Sequence, residues 1–209
     1  MCFSATASFT AGATLSAMGA ATVPKAKKRT DIPFAIIPLI FAFQQFLEGM
    51  VWVSFGSPWL NWIATHSFVM FSHVFWPIWA PLSLMLLEHD KVRRKIMVFF
   101  FGIGVAVGIA ELYYIVTEPI ASIVTGNSIL YTVPGAFGAL TIFLYLAATC
   151  LSCAFSSHRM VKILGLTLFV TFLAAYYFYS ATCLSVWCFF AAILSVIVYL
   201  HFHFSPNAH

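Results

Sequence analysis

Phe43-Gln44-Gln45-Phe46-Leu47-Glu48-Gly49-Met50-Val51-Trp52 sets a carboxyl group and two primary amides inside an apolar segment long enough to cross a membrane. An ionisable side chain at the centre of a bilayer helix costs roughly 2.5 kcal/mol or more, so one that is kept there faces a partner, a cavity or an ion. Gln44, Glu48 and Trp52 recur at i, i+4 and i+8 and share one helical face, and Gln45, three residues before Glu48, flanks it. That face either glues its helix to the neighbours or forms a site for a substrate, an ion or a metal.

The rest of the chain is the kind that would surround such a helix. Of 209 residues, 62% are hydrophobic and 8% charged, too little polar surface to cover a soluble domain. The sequence therefore predicts an all-α fold, a polytopic membrane helical bundle forming one domain over residues 1–209. Its apolar blocks predict seven transmembrane helices, near 4–23, 33–54, 63–87, 96–116, 130–155, 161–180 and 183–204, most of them long enough to cross about 30 Å of hydrocarbon. The short alternating strands of an outer-membrane barrel are absent from the pattern.

The net charge of +4 points to no nucleic-acid partner, because the charges sit in loops. All ten basic residues fall in three connections: Lys25, Lys27, Lys28 and Arg29; Lys91, Arg93, Arg94 and Lys95; Arg159 and Lys162. The connections near 55–62, 117–129 and 181–182 carry none, so the basic-inside bias places the N-terminus outside and the C-terminus in the cytoplasm. The first span lacks the basic start and cleavage pattern of a signal peptide and is read as a retained helix. Cys2 and Cys183 fall at the outer ends of spans one and seven, neighbours in a closed ring, where one bridge would suit an oxidising compartment.

Span one carries a small-residue ridge, Ser4, Ser8, Gly12, Ser16 and Ala20, which predicts close approach of a neighbour and burial in the bundle. In span three, His66 and His73 are seven apart and share a face, while Pro77 and Pro81 should free carbonyls around Ser72 and His73. Span four offers Gly104, Gly108 and then Glu111, a second intramembrane carboxyl. Span five has a hydroxyl face, Thr141, Tyr145, Thr149, Ser152 and Ser156, and Cys150 and Cys153 there are read as core.

Glu48, His66, His73, Glu111 and Cys188 all map to the outer half of the bundle, with Cys2 at its rim. Carboxylate, imidazole and thiolate are ligands of zinc and, with soft sulfur, of copper, so one Zn or Cu ion is the candidate cofactor, with Gln44, Gln45 and Trp52 beside it. Such an ion could activate water against a lipid or small molecule, with Glu48 and His73 as the catalytic pair. Without metal, Glu48 opposite His73, or Glu48 with Glu111, could bind or relay a proton or cation. A second histidine group, His89, His158, His201 and His203, collects at the cytoplasmic ends and is read as mostly solvated.

Met1-Cys2-Phe3-Ser4-Ala5-Thr6-Ala7-Ser8-Phe9, Gln44-Gln45-Phe46-Leu47-Glu48-Gly49 and the run Ser185 to Ser195 together resemble an uncharacterised family of small bacterial multi-pass membrane proteins. The resemblance spans the chain and implies an inner-membrane bacterial protein without an assigned activity. Seven spans with an outside N-terminus also resemble, in architecture, the ceramidase and adiponectin-receptor group of membrane zinc hydrolases. That group uses paired histidines on its last helix with an earlier histidine and serine, whereas here the last span offers His201-Phe202-His203. A retinal cofactor is excluded, since spans six and seven hold only Lys162, at the very start. Three readings stand, with membrane lipids as partners in each: a polar site, metal-binding or not, acting on a lipid or small molecule; a small proton- or cation-linked transporter or sensor using Glu48 and Glu111; and a structural membrane subunit without chemistry, whose polar residues only pack.

Overall fold

The computed structural model describes residues 4–204, so the expected Cys2–Cys183 bridge and the place of Cys2 lie outside the described residues. Seven helical rods follow one another: α1 (Ala5–Thr22), α2 (Arg29–Ser54), α3 (Pro58–Leu87), α4 (Lys91–Thr117), α5 (Ala139–Ala154), α6 (Arg159–Phe178) and α7 (Ser180–Phe204). Five of them, α2, α3, α4, α6 and α7, are long and apolar enough to cross a membrane, which fits an integral membrane protein. The all-α bundle is as expected. The count of seven spans is not reached on that measure, because α1 and α5 fall outside it.

Span five is where the reading from sequence departs most. Residues 121–132 form an antiparallel hairpin of β1 (Ala121–Thr125) and β2 (Ser128–Thr132), paired from Ala121 opposite Thr132 to Thr125 opposite Ser128. Its two-residue connection is Gly126-Asn127 with Gly126 at φ 59°, a positive φ at the first position only, as a type II′ turn requires. Pro134, Gly135 at φ 78° and Phe137 at φ 53° then delay helix formation until Ala139.

The rods close into a ring in which α7 packs on α6, α1 and α2. The face that α1 buries is Ser8, Gly12, Leu15, Gly19 and Thr22, and Gly12 lies against the ring of Phe46 as Gly49 lies against Phe9. This corrects the predicted ridge: at 3.6 residues per turn a strict i+4 row drifts around the helix, so Ser4 and Ala20 are exposed. The opposite face of α1 is exposed at Thr10, Ala13, Thr14 and Ala17, so the helix is peripheral and only half enclosed.

Inside α3 the prolines act as their chemistry requires. Residues Met70–Phe75 form a π-helical turn in which the Trp76 N–H donates to Phe71 O, five residues back. Pro77 stands next in that register, opposite Ser72 O, and has no N–H to give. The Tyr145 hydroxyl of α5 donates to Ser72 O instead, at 2.7 Å. One turn on, Pro81 leaves Pro77 O without a helical donor, and the Cα of Gly104 on α4 abuts that oxygen so closely that any Cβ would collide with it. A Cβ on Gly108 would press on the Ile78 side chain at 2.7 Å and come within 3.3 Å of Val74 O. The glycine face of α4 thus continues into Glu111, which it delivers to the irregular part of α3.

The three basic connections meet at one end of the bundle. Arg93 donates to Phe155 O and Ser156 O (2.9 and 3.1 Å), and Lys28 Nζ donates to His89 Nε2 (3.0 Å). Glu88, just past α3 and buried, accepts from Ser157 N (2.7 Å) and Ser157 Oγ (2.8 Å), from Ser156 Oγ, and from the His89 and Asp90 N–H groups. At the other end Asn61, Ser122, Ser54 and Thr65 form a hydrogen-bonded knot, and Ser128 Oγ donates to Thr182 Oγ1 (2.9 Å), so the hairpin is tied to α2, α3 and α7.

Two variants test this frame. Tyr145→Phe, which strands Ser72 O in a buried place, is expected to cost about 1–3 kcal/mol, read as a lower melting temperature of the detergent-solubilised protein; an unchanged melting point would refute the proline–tyrosine account. Burial by itself would raise the Glu88 carboxyl, but the N–H and hydroxyl of Ser157, the Asp90 N–H and nearby His158 together hold it below its ordinary value of 4.5. A depressed carboxyl stabilises the fold above its unfolded value and loses that contribution as pH falls through the folded one. Wild type should therefore lose stability below pH 4.5 more steeply than Glu88→Gln, in melting curves taken as a function of pH.

Candidate functional site

Gln44, Gln45 and Glu48 project from α2 into the bundle and all three are fully buried. Ser185 Oγ on α7 donates to Glu48 Oε1 at 2.7 Å, and Gln45 Nε2 to Glu48 Oε2 at 3.4 Å. The short bond to a carboxylate is of the stronger, charge-assisted class when Glu48 is ionised. Cys188, one turn after Ser185, faces the Gln44 amide and the Glu48 carboxylate. Gln44 Oε1 accepts from the Trp76 indole at 2.6 Å, which ties α2 to α3 just below the π turn.

A second polar group lies across the ring. His73, buried at 2% exposure, shares a hydrogen bond with Ser72 Oγ (2.8 Å) and packs its ring on Phe137 at 4.5 Å. Glu111 Oε1 accepts from Phe137 N at 3.1 Å. Phe137 is a bulky residue in left-handed backbone, a conformation that persists only when its surroundings enforce it, and here Glu111, His73 and Tyr145 hold it. Tyr145 joins the two groups, since it bonds to Ser72 O and meets Trp187 edge to face at 5.8 Å.

Two cavities flank that aromatic pair. An outer one of about 160 Å³ opens toward the hairpin and is walled by Ile129, Tyr131, Phe137, Tyr145, Ser185 and Trp187, among others. An inner one of about 70 Å³ lies under Trp76, Tyr145, Trp187 and Cys188 and runs toward Phe34 and Ser195. Above Glu48 the hairpin forms a cover, where Ile129 is fully buried with Val51, Ala64, Phe68 and Cys188, and Tyr131 stacks on Phe68 at 4.4 Å. Trp52 joins that cluster, its indole N–H buried without a partner among the described residues. Gln44 Nε2, Gln45 Oε1 and Glu111 Oε2 are likewise buried and unpartnered among them.

The expected six-residue gathering is only partly assembled. Glu48 and Cys188 are neighbours; His73 and Glu111 flank Phe137; His66 stands apart, half-buried, bonded to Trp62 O (2.8 Å) and stacked on Trp62 of its own helix. The shared face of His66 and His73 assumes an unbroken α-helical period, which the π turn Met70–Phe75 interrupts before His73 is reached. Among the described residues no group of three or more His, Cys, Asp or Glu stands close enough to hold a metal ion, so the Zn or Cu expectation has no ligand set there. The histidines at the basic end also differ from their reading: His201 is buried, at 5% exposure, and packs on His158 at 5.0 Å and on Phe34 at 5.6 Å, while His89 and His203 are exposed. Three participants were not singled out as site residues in the sequence. Ser185 was legible only as part of the run that carries the resemblance, Tyr145 only as one of a hydroxyl face, and Trp76 carried no signal beyond its place before Pro77.

The sequence profile of a family of unknown function, DUF6629, matches residues 1–209. The chain belongs to that family. No curated protein and no solved structure matches it. The opening nonapeptide and the Gln44–Gly49 run that carried the resemblance are thus part of a whole-length match to DUF6629.

If Ser185 anchors the carboxylate, Ser185→Ala should cost about 1.5–3 kcal/mol, whereas His66→Ala should stay within about 0.5 kcal/mol of wild type. Both are read from melting of the purified protein. Equal effects would contradict the placement of the two residues.

Proposed function

We propose that this protein is a membrane-embedded binding protein for a small, positively charged or donor-rich molecule, held in the outer half of the bundle with Glu48 as its anchor. The observation that carries the reading is the Ser185 hydroxyl, which walls the outer cavity and donates to a wholly buried carboxylate 2.7 Å away. A ligand in that cavity needs only to displace or join one hydroxyl to reach Glu48. Gln45 Oε1 and Glu111 Oε2 are acceptors looking for a donor among the described residues, and all ten Lys and Arg residues belong to the opposite end. Both facts favour a cation over an anion in a low-dielectric interior.

The Tyr145–Trp187 pair stands between the outer and inner cavities, and its separation would join them into one path along the axis of the bundle. That arrangement supports transport or sensing over hydrolysis, for which the zinc-hydrolase analogy supplies no ligand set among the described residues. In this reading all seven helices cross the membrane. The shortest, α5, spans about 24 Å at 1.5 Å per residue and is completed by the hairpin; the basic end faces the cytoplasm of a bacterial inner membrane, as the resemblance implies.

The test is a thermal-shift series on the purified protein with alkylammonium salts of graded size and their neutral carbon isosteres. A ligand at 100 times its Kd should stabilise by about 2.7 kcal/mol. One or more ammonium probes should raise the melting temperature of wild type with no effect from the isostere, and the shift should vanish in Glu48→Gln. Equal shifts in wild type and Glu48→Gln, or no shift with any probe, would overturn the reading in favour of a purely structural carboxylate.

A further inference from the structure

A groove of about 510 Å³ runs down the outside of the bundle between α5 and α6, away from the Glu48 site. It exists because Ala147, Ala154 and Gly165 leave room beneath the rings of Phe143 and Phe169. Gly165 is there for contact: a Cβ on it would collide with Cys153 and with Cys150 O, where α5 makes its π turn, Ala147–Leu151. The helices therefore pack on each other over Ala147–Ala154, and the groove lies beside that contact.

The groove has the depth of one leaflet. Phe143 and Ala154, near its two ends on α5, are separated by about 16 Å at 1.5 Å per residue, roughly half of a 30 Å hydrocarbon core. Its walls are apolar apart from one group, Lys162, at the basic end. Arg159 precedes Lys162 by three residues on α6 and shares its face. Among the described residues neither the Lys162 ammonium nor the Arg159 guanidinium makes a hydrogen bond or ion pair. The carboxylates of that end are engaged elsewhere: Asp31 with Lys28 N, Asp90 as the cap of α4, and Glu88 with Ser157. An apolar slot one leaflet deep that ends on two uncompensated cations matches an acyl chain carrying a phosphate.

We propose that the α5–α6 groove is a binding site for one anionic phospholipid, with an acyl chain between Phe143 and Ala154 and the headgroup phosphate at Lys162 and Arg159. Anionic lipid is concentrated in the leaflet that faces the basic end of membrane proteins, and each Lys or Arg near that surface strengthens its binding about fivefold. The site is independent of any ligand at Glu48.

The test is native mass spectrometry of the full chain in mild detergent, titrated with phosphatidylglycerol or with phosphatidylcholine of the same acyl chains. Wild type should hold one phosphatidylglycerol per chain, tighter than phosphatidylcholine by about 25-fold, fivefold for each of the two cations. Lys162→Gln should lower that preference by about fivefold, and Lys162→Gln with Arg159→Gln should bring it to parity while phosphatidylcholine binding is kept. Ala154→Phe, at an exposed position inside the groove, should weaken both lipids alike. Equal affinity of wild type for the two lipids, or a preference that survives the double substitution, overturns the proposal. So does a dimer that disappears in Ala154→Phe but is indifferent to lipid, since a second copy would then be the occupant.

Discussion

Hydrocarbon offers no hydrogen bonds, so a polar group that this chain carries into its bundle depends on the protein, or on what the protein binds, for its partner. That constraint explains why the irregular parts of the helices coincide with the polar parts. Pro77 and Pro81 remove two backbone donors from α3. The first loss is made good by the Tyr145 hydroxyl at Ser72 O, and the second places a bare carbonyl against Gly104. Those two contacts set how closely α4 and α5 approach α3. They therefore also set where Glu111, Tyr145 and the strained Phe137 stand relative to Glu48. The same demand shapes the ends, where Glu88 gathers the N–H and hydroxyl groups of two loops and the hairpin is sewn to α3 and α7 through Ser122 and Ser128.

Local chemistry was legible in the sequence wherever one residue type has one consequence. The prolines of α3 announced freed carbonyls at Ser72, and the Gln44–Glu48 face announced a buried polar stripe, whereas the close packing at Gly104 and Gly108 became visible only with their neighbours on α3 in place. What depended on accumulated geometry was not legible. The pairing of His66 with His73 assumed an unbroken α-helical period and failed at a π turn. The small-residue ridge of α1 assumed a straight i+4 row and drifted off its neighbour. The hairpin was hidden because Ile129, Leu130 and Tyr131 are as apolar as a span, although Gly126-Asn127 ahead of them is a two-residue turn signal. Ser185 reaches Glu48 across 137 positions of sequence, a distance that no periodicity reports.

The site that results is a carboxylate and two amides under a hairpin cover, bordered on one side by a cavity and on the other by an aromatic pair. In the proposed reading its chemistry is that of recognition. Two carboxyl groups, unpartnered amide and indole atoms, and walls of Tyr and Trp suit a small cation that is bound, sensed or passed inward, whereas the donors of a zinc hydrolase are not assembled among the described residues. The groove on the outside of α5 and α6 is proposed to answer to the bilayer itself, so that the two sites proposed for the molecule would face different kinds of ligand.

Cys183 walls the outer cavity and is partly exposed, which makes it a reporter of what enters. The most direct measurement is the rate at which a variant retaining only Cys183 is modified by methanethiosulfonate reagents of equal size and opposite charge, added to the hairpin side of reconstituted vesicles. A cation-selecting cavity anchored on Glu48 predicts faster modification by the ammonium reagent than by the sulfonate, and loss of that difference in Glu48→Gln. Rates that are equal for both charges, or a charge preference that Glu48→Gln leaves intact, would contradict it.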